Sequence, residues 1–219
     1  MSAKDIARSL LEIKAVLCNV DQPFTLTSGS LSPVYVDMRW AISFPRTRRL
    51  ITDLAAQIIR TQLGDVDVIA GGETAGIPYA AWVADRLNLP MIYVRKKPKG
   101  FGRNALLEGH LQEGQRVVLV EDLIFDGQSK VRFVEGIRAA GALCHDVLSV
   151  FNYAPSGQGN PLLSQANIRL HALTNWPVLL EVAQADGFFT PQQIEVIKEF
   201  LADPPAWSQR RQGPGDASV

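Results

Sequence analysis

Apolar residues along the chain repeat at two different spacings. Where they recur every three or four positions, they predict amphipathic helices. The helices predicted in this way cover residues 4–17, 45–63, 75–87 and 129–140. Short continuous apolar runs instead predict buried strands. The predicted strands have the sequences VDVIA, MIYV, VVLV, HDVLSVF and IRLHAL.

Two further segments carry local signals. Residues 24–39, FTLTSGSLSPVYVDMR, alternate between apolar and polar positions, break at SGS and then resume, which predicts a hairpin or two short strands. Residues 190–193, TPQQ, have the spacing of a capping box with proline at the first helical position. A last helix is therefore expected to run from there to about Leu201.

The order of these elements predicts the fold class. Strands that alternate with helices, and that are apolar throughout, indicate an α/β fold with a mostly parallel, twisted sheet flanked by helices on both faces. We expect one domain over residues 1–208, with a small N-terminal hood at about 1–40, helices at its carboxyl end, and a disordered tail at 209–219. In such sheets ligands bind beyond the carboxyl ends of strands, where the strand order reverses.

Composition limits the classes of partner. The 22 lysines and arginines balance 22 aspartates and glutamates, so no overall charge favours nucleic acid or an acidic membrane, and a phosphate site must be local. The two cysteines are far apart and cannot form a zinc site alone. The sequence begins without a signal peptide and has no 18-residue apolar run, so we expect a soluble, cytoplasmic protein.

The first stretch whose residues are suited to ligand binding is VVLVEDLIFDGQSK, residues 117–130. Glu121 and Asp122 follow an apolar strand, and residues 126–129, DGQS, turn into a predicted helix. The helix N-terminus is suited to a phosphate, and the two carboxylates are suited to the vicinal hydroxyls of a sugar. An acidic strand end followed by an ordinary helix cap explains the same residues.

The second stretch is RKKPKGFGR, residues 95–103, with five basic residues among nine. Its proline and glycines predict a mobile loop that closes as a lid over a polyanion. A solvated basic loop is the plain alternative. Nucleic-acid binding is less well supported, because Phe101 is the only aromatic residue in the loop.

The third stretch is GGETAGIPYA, residues 71–80, directly after a predicted strand. Gly71 and Gly72 allow close approach of a ligand to the backbone, and a tight strand-to-helix turn that needs glycine is the plain alternative. The three stretches together indicate a ligand with phosphates at both ends of a ribose. They supply two turns suited to phosphate, a pair of acids suited to the ribose hydroxyls, and a basic loop.

This combination of motifs resembles the type I phosphoribosyltransferases, and among them the orotate phosphoribosyltransferases, over almost the whole chain. The segment at 24–39 is similar to their hood, 71–80 to their pyrophosphate loop, 95–109 to their catalytic lid, and 117–130 to their phosphoribosyl-diphosphate (PRPP) motif. The resemblance implies transfer of the 5-phosphoribosyl group from PRPP to orotate, giving orotidine 5′-monophosphate and pyrophosphate.

The resemblance also implies a role for each matching residue. Catalysis and pyrophosphate binding fall to Arg95, Lys96 and Lys99, with Lys97 also at PRPP. Glu121 and Asp122 hold the ribose hydroxyls, while backbone N–H groups of 125–129 and the Ser129 hydroxyl hold the 5′-phosphate. The complete PRPP set is Glu73, Thr74, Lys97, Glu121, Asp122, Leu123, Ile124, Phe125, Asp126, Gly127, Gln128 and Ser129. The orotate set is Tyr35, Val36 and Phe125.

Partners and cofactors follow from the same resemblance. Mg²⁺ is implied, held mainly through PRPP beside Glu73 and Thr74, with no direct protein ligand assigned. A homodimer is implied as well, in which the lid of one subunit closes over the site of the other. No nucleic acid or membrane partner is expected.

The PRPP motif departs from the family pattern at three positions. Ile124, Phe125 and Gln128 stand where the family usually has small hydroxyl residues and a second glycine or threonine. Two hypotheses remain open from the sequence: a working orotate phosphoribosyltransferase, or a diverged relative that binds PRPP or a nucleotide as a sensor without turnover. A transferase for a different base lies between them.

Overall fold

The computed structural model describes residues 1–26, 28–98, 106–156 and 159–212. Its centre is a six-stranded sheet. The strands of this sheet are β5 (Val68–Gly72), β6 (Met91–Val94), β7 (Leu107–Glu108), β8 (Arg116–Ile124), β9 (Leu143–Asn152) and β10 (Arg169–Asn175). Four shorter strands precede it: β1 (Val16–Cys18), β2 (Phe24–Thr25), β3 (Leu31–Ser32) and β4 (Val34–Val36).

Eight α-helices surround the strands in the described part of the chain. They are α1 (Ala3–Glu12), α2 (Pro45–Gln62), α3 (Gly76–Leu87), α4 (Gln128–Ala139), α5 (Pro161–Gln165), α6 (Trp176–Ala185), α7 (Pro191–Ala202) and α8 (Pro204–Gln212). A 3₁₀ helix at Met38–Ser43 joins β4 to α2. No helix in the described ranges is long and apolar enough to cross a membrane.

The strand order of the sheet is β10-β9-β8-β5-β6-β7, and only β7 runs antiparallel to its neighbour. This arrangement confirms the predicted mostly parallel α/β fold. The chain first builds from β5 towards β6 and then returns to place β8 on the other side of β5. The strand order therefore reverses between β5 and β8, and a ligand crevice is expected beyond their carboxyl ends.

Alternation along β8 divides the core into two layers. Val118 and Val120 belong to the layer that contains α1, α2 and α3. Val117 and Leu119 belong to the opposite layer, with α4. This alternation breaks at the end of β8, because Leu123 packs against the first layer whereas Ile124 belongs to the second.

The predicted strand VVLV is longer than expected. Strand β8 continues through Glu121 and Asp122 to Ile124, because β9 pairs with it as far as Ile124 and Asn152. The two acids are thus part of the strand and do not merely follow it.

The first predicted helix is shorter than expected. It was predicted over residues 4–17, but α1 ends at Glu12, and Lys14 takes a left-handed conformation with φ 59°. The next residues form β1, which pairs antiparallel with β4. The hairpin prediction for 24–39 is confirmed by the antiparallel pair of β2 and β3.

The carboxyl-terminal helices close one side of the molecule. Helix α7 has the predicted capping box, in which Thr190 and Gln193 bond each other's backbone N–H groups. Helix α8 continues to Gln212, four residues into the segment predicted to be a tail. It packs on the hood, where the Leu31 N–H donates to the Ser208 hydroxyl at 2.8 Å.

Candidate active site

A cavity of about 670 Å³ lies at the point where the strand order reverses. Residues from five parts of the chain line it: the hood, the turn after β5, the start of the basic loop after β6, the end of β8 and the start of α4. The lining residues are Val36, Asp37, Met38, Arg39, Ile42, Glu73, Thr74, Ala75, Pro78, Lys96, Glu121, Asp122, Leu123, Ser129, Lys130 and Phe133. The fold therefore joins the three chemically promising stretches of the sequence in one site.

Glu121 is almost completely buried, with 3% of its surface exposed. It faces α4, where the Lys130 ammonium lies 3.1 Å from its Oε2. Its other oxygen, Oε1, has no hydrogen-bond partner in the structure. A buried polar atom without a partner is rare, so Oε1 is suited to accept a hydrogen bond from a ligand.

Burial is the main influence on the Glu121 carboxyl group. It raises the pKa of this group to about 7, although the nearby Lys130 acts in the opposite direction. The negative charge of Asp122 raises the pKa further. Near neutral pH, Glu121 therefore exists in both protonation states, and a cation or a hydroxyl donor in the cavity would favour the ionised one.

Asp122 points to the opposite face of β8 from Glu121. Its pKa is raised, mainly by burial, while the positive charges of Lys130 and Arg39 act to lower it. The Asp122 charge in turn acts on Tyr79 of α3 and on Arg39 of the hood. The acid pair predicted to act together is therefore divided between the two faces of the strand, although both carboxylates line the cavity.

Two glycines make room for the Glu121 carboxylate. A Cβ atom on Gly72 would lie 1.7 Å from Glu121 Oε1 and 2.6 Å from the Phe133 ring. A Cβ atom on Gly76 would lie 2.7 Å from the Val120 carbonyl oxygen. Gly72 was predicted to allow close approach of a ligand; the structure shows that Gly72 and Gly76 allow β5 and α3 to pack against the end of β8.

The turn after β5 is held against the start of the basic loop. The Lys96 N–H donates to Glu73 Oε2 at 2.6 Å, and the Glu73 N–H donates to the Val94 carbonyl oxygen at 2.8 Å. The peptide bond between Glu73 and Thr74 is cis. Farther along, the Tyr79 hydroxyl donates to the Met38 carbonyl oxygen, which connects α3 to the 3₁₀ helix of the hood.

The turn before α4, which was predicted to bind phosphate, has the glycine that its geometry requires. Gly127 is the N-cap of α4 with φ 83°, a conformation that other residues rarely adopt. The Gln128 N–H donates to Asp126 Oδ1 at 3.0 Å, so this donor of the predicted phosphate cradle is engaged within the turn itself. The Asn160 side chain supports the turn from outside by donating to the Asp126 carbonyl oxygen at 3.1 Å.

None of the three unusual residues of this motif is among the residues that line the cavity. Ile124 is fully buried in the core on the α4 face. Phe125 is 64% exposed and packs edge-on against Tyr153, with ring centroids 4.9 Å apart. Gln128 is exposed. None of them is a lining residue, so they leave the described cavity open.

The basic loop is described only in part. Lys96 lines the cavity, whereas the Arg95 guanidinium lies 3.2 Å from Glu108 Oε1 across the β6–β7 pair. Lys97 is exposed and does not line the cavity. Lys99, to which catalysis was assigned, lies outside the described residues.

The hood supplies the remaining wall. Of the two hood residues assigned to orotate, Val36 lines the cavity, whereas Tyr35 does not; Tyr35 is 40% exposed and lies near the Phe24 ring. Strand alternation explains the difference, because neighbouring residues of β4 face opposite sides.

Three charged lining residues were not assigned from the sequence: Asp37, Arg39 and Lys130. Lys130 is the residue directly after Ser129 in the first turn of α4. Asp37 and Arg39 lie within the hood segment that carried the family resemblance. Their spacing along the chain gave no signal, because the ion pairs they form depend on the folded backbone.

Comparison with protein families gives a match to the phosphoribosyl transferase domain over residues 43–162. An orotate phosphoribosyltransferase of Ruegeria sp. is 48% identical over 214 residues, which cover 95% of this chain and 95% of that protein. An orotate phosphoribosyltransferase of Agrobacterium fabrum is 45% identical over 213 residues, covering 96% of this chain and 92% of that protein.

A solved structure shows the same architecture. The crystal structure of orotate phosphoribosyltransferase from Aeropyrum pernix superposes with a TM-score of 0.71 at 31% identity, covering 84% of this chain and 99% of that one. The similarity thus extends over nearly the full length of the proteins compared.

Proposed function

We infer that this chain, which belongs to the phosphoribosyltransferase family, is an orotate phosphoribosyltransferase of pyrimidine biosynthesis. It transfers the 5-phosphoribosyl group of PRPP to N1 of orotate and releases pyrophosphate. The observation that carries this function is the single cavity in which the acidic end of β8, the turn after β5, the start of α4 and the hood meet.

The ribose and its 5′-phosphate occupy the β8–α4 side of this cavity. Glu121 Oε1 and the Asp122 carboxylate accept hydrogen bonds from the ribose hydroxyls, one from each face of the strand. Ser129 and the backbone at the start of α4 hold the 5′-phosphate, where the helix dipole favours negative charge. Lys130 keeps Glu121 partly ionised and therefore able to accept.

The diphosphate occupies the side formed by Glu73, Thr74 and Lys96. Mg²⁺ would be held there mainly through the diphosphate, beside Glu73 and Thr74, and would supply neutralisation of the charge that the leaving pyrophosphate carries. The donor set fits this ion, because Mg²⁺ prefers a few oxygen ligands combined with substrate phosphates, and Glu73 and Thr74 offer oxygen atoms at this place. Lys96 provides positive charge beside the departing pyrophosphate.

The reaction needs no nucleophile from the protein. Orotate N1 displaces pyrophosphate at the ribose C1, and positive charge develops on the ribose as the bond to the leaving group lengthens. The protein accelerates this step by positioning both substrates and by stabilising charge on pyrophosphate. We further propose that the enzyme is a cytoplasmic homodimer in which Lys99 of one subunit closes over the partner's site.

The positions of the unusual residues support catalysis over a sensor without turnover. The sensor hypothesis rests on Ile124, Phe125 and Gln128 disturbing the phosphate cradle. In the structure Ile124 belongs to the core and the other two side chains are exposed outside the described cavity.

Incubation with PRPP and orotate, with and without Mg²⁺, tests the function. We expect loss of orotate absorbance only when both PRPP and Mg²⁺ are present, and uracil should not replace orotate. A PRPP-dependent rise in melting temperature without any loss of orotate would instead establish the sensor.

A further inference from the structure

The hood contributes one arginine to the described cavity wall, and a neighbouring carboxylate fixes its orientation. Arg39 Nε donates to Asp37 Oδ1 at 2.7 Å, and Nη2 donates to Asp37 Oδ2 at 2.8 Å. A guanidinium group has five N–H donors, so these two bonds leave three for a ligand. The Arg39 side chain is 63% exposed, which makes those donors accessible.

Two other cations line the described part of the cavity, and each is placed for a different task. Lys130 lies 3.1 Å from Glu121 and faces the ribose side. Lys96 stands at the start of the basic loop, where its backbone N–H binds Glu73 on the diphosphate side. Arg39 is therefore the cation of the hood that can contact a ligand bound between the hood and β8.

The chemistry of the substrates identifies that partner. All negative charges of PRPP belong to its phosphates, whereas orotate carries a carboxylate on C6, the ring carbon bonded to N1. Because N1 attacks the ribose C1, this carboxylate must lie close to the ribose site when the bond forms. Arg39 and Asp122, on the ribose side, line the same cavity.

We propose that Arg39 binds the carboxylate of orotate and that Asp37 holds the guanidinium in place for this contact. The proposal rests on the proposed function and adds the residue that distinguishes orotate from a pyrimidine without a carboxylate. Arginine suits the task, because its planar group can donate two parallel hydrogen bonds to a carboxylate. Asp37 orients it before the ligand arrives, which lowers the entropy lost on binding.

Two nucleotides that differ only in this carboxylate provide the test. Orotidine 5′-monophosphate carries it and uridine 5′-monophosphate does not, so calorimetric titration of both isolates its contribution without any turnover. We expect wild-type protein to prefer orotidine 5′-monophosphate. Arg39→Gln should weaken its binding by about 10- to 100-fold, the usual effect of losing a charged hydrogen bond, and leave uridine 5′-monophosphate unchanged. The affinity of Arg39→Lys for orotidine 5′-monophosphate should lie between those of the wild type and Arg39→Gln.

Arg169→Gln is the matched control. Arg169 forms the same two-bond contact with Asp146, at 2.8 and 2.6 Å, and its side chain is 66% exposed, but it lies at the amino end of β10, away from the carboxyl-end crevice. Its replacement should change the affinity for neither nucleotide. Melting temperatures of all variants establish that they remain folded.

The outcomes separate this proposal from the proposed function. Equal weakening of both nucleotides by Arg39→Gln would show that Arg39 contacts ribose or phosphate, and no weakening would show that it only pairs with Asp37; either result overturns the proposal. Wild-type protein that consumes orotate without preferring its nucleotide overturns the Arg39 proposal alone. Failure to consume orotate overturns the proposed function.

Discussion

The buried carboxyl group of Glu121 connects the stability of the protein to pH. Its pKa in the folded protein is about 7, above the ordinary value of 4.5, because burial disfavours the charge. Between these two values the folded state binds more protons than the unfolded state. The free energy of unfolding therefore falls as pH rises through this window.

Glu121→Gln should remove this decline, because an amide does not ionise. Relative to wild type, the variant should gain on the order of 1–3 kcal/mol in the free energy of unfolding between pH 5 and pH 8. Urea unfolding of both proteins at several pH values measures the difference. Glu195→Gln is the control, since Glu195 forms an exposed ion pair with Lys198. Parallel curves for wild type and Glu121→Gln would contradict the assignment.

Phe125 departs from the family pattern, and its side chain faces away from the core. Its ring packs on Tyr153 and does not line the described cavity. Phe125→Thr should therefore preserve the turnover of orotate within about twofold, while loss of the aromatic pair should cost about 1 kcal/mol of stability. Steady-state kinetics and urea unfolding measure the two effects. A large loss of turnover would mean that the ring contacts a substrate.

The end of β8 shows how elements rather than single residues create the site. Gly72 in β5 and Gly76 at the start of α3 approach β8 so closely that side chains at either position would collide with Glu121 or with the backbone of Val120. Close packing of these three elements positions the carboxylates of both acids at the crevice.

Gly72→Ala should therefore abolish turnover and lower stability, because its Cβ would lie 1.7 Å from Glu121 Oε1. We expect a loss of about 2–4 kcal/mol, in the range of severe overpacking. Gly136→Ala in α4 is the matched control, since its Cβ would have only ordinary contacts, the nearest at 3.5 Å, and alanine favours helix. An active, stable Gly72→Ala protein would refute the packing described for this site.

The hydrophobic pattern predicted most of the elements but not how they share the site. It identified the parallel strands and α2, α3, α4 and α7, because each buries a regular apolar face. It missed the division of Glu121 and Asp122 between two faces, because the strand was expected to end before them. The early end of α1 was also missed, since the pairing of β1 with β4 depends on residues that are distant in the sequence, such as Val16 and Val36.

Resemblance and geometry contributed differently to the site. The motifs located the two turns proposed to bind PRPP and the basic loop, because each is a short, continuous segment. Lys130, Asp37 and Arg39 were not assigned, because their roles come from ion pairs visible only in the folded chain. Tyr35 and Phe125 were assigned to orotate by the resemblance, and the structure places both outside the lining of the described cavity.

The proposed homodimer predicts that two inactive variants can restore each other. Lys99→Ala should abolish turnover by removing the lid cation, and Asp122→Asn by removing a ribose acceptor. If the lid acts across the interface, a mixed dimer has one intact site. After unfolding and refolding together in equal amounts, random pairing should recover about a quarter of wild-type activity, given the isologous interface of a twofold dimer.

Activity of the refolded mixture is compared with each variant refolded alone. Recovery near zero would show that lid and cavity belong to the same subunit. The sedimentation behaviour of the wild-type protein gives an independent test of the dimer itself.

The most direct test of the whole account is the product balance of one reaction. Purified protein is mixed with PRPP, orotate and Mg²⁺, and orotidine 5′-monophosphate and pyrophosphate are both quantified. We predict that they form in equal amounts as orotate disappears, and that the isosteric Asp122→Asn variant, still folded, is slower by about 100-fold or more, as expected when a substrate-positioning group is lost. Absence of orotidine 5′-monophosphate, or an undiminished rate in Asp122→Asn, would contradict the claim that this cavity is an orotate phosphoribosyltransferase site.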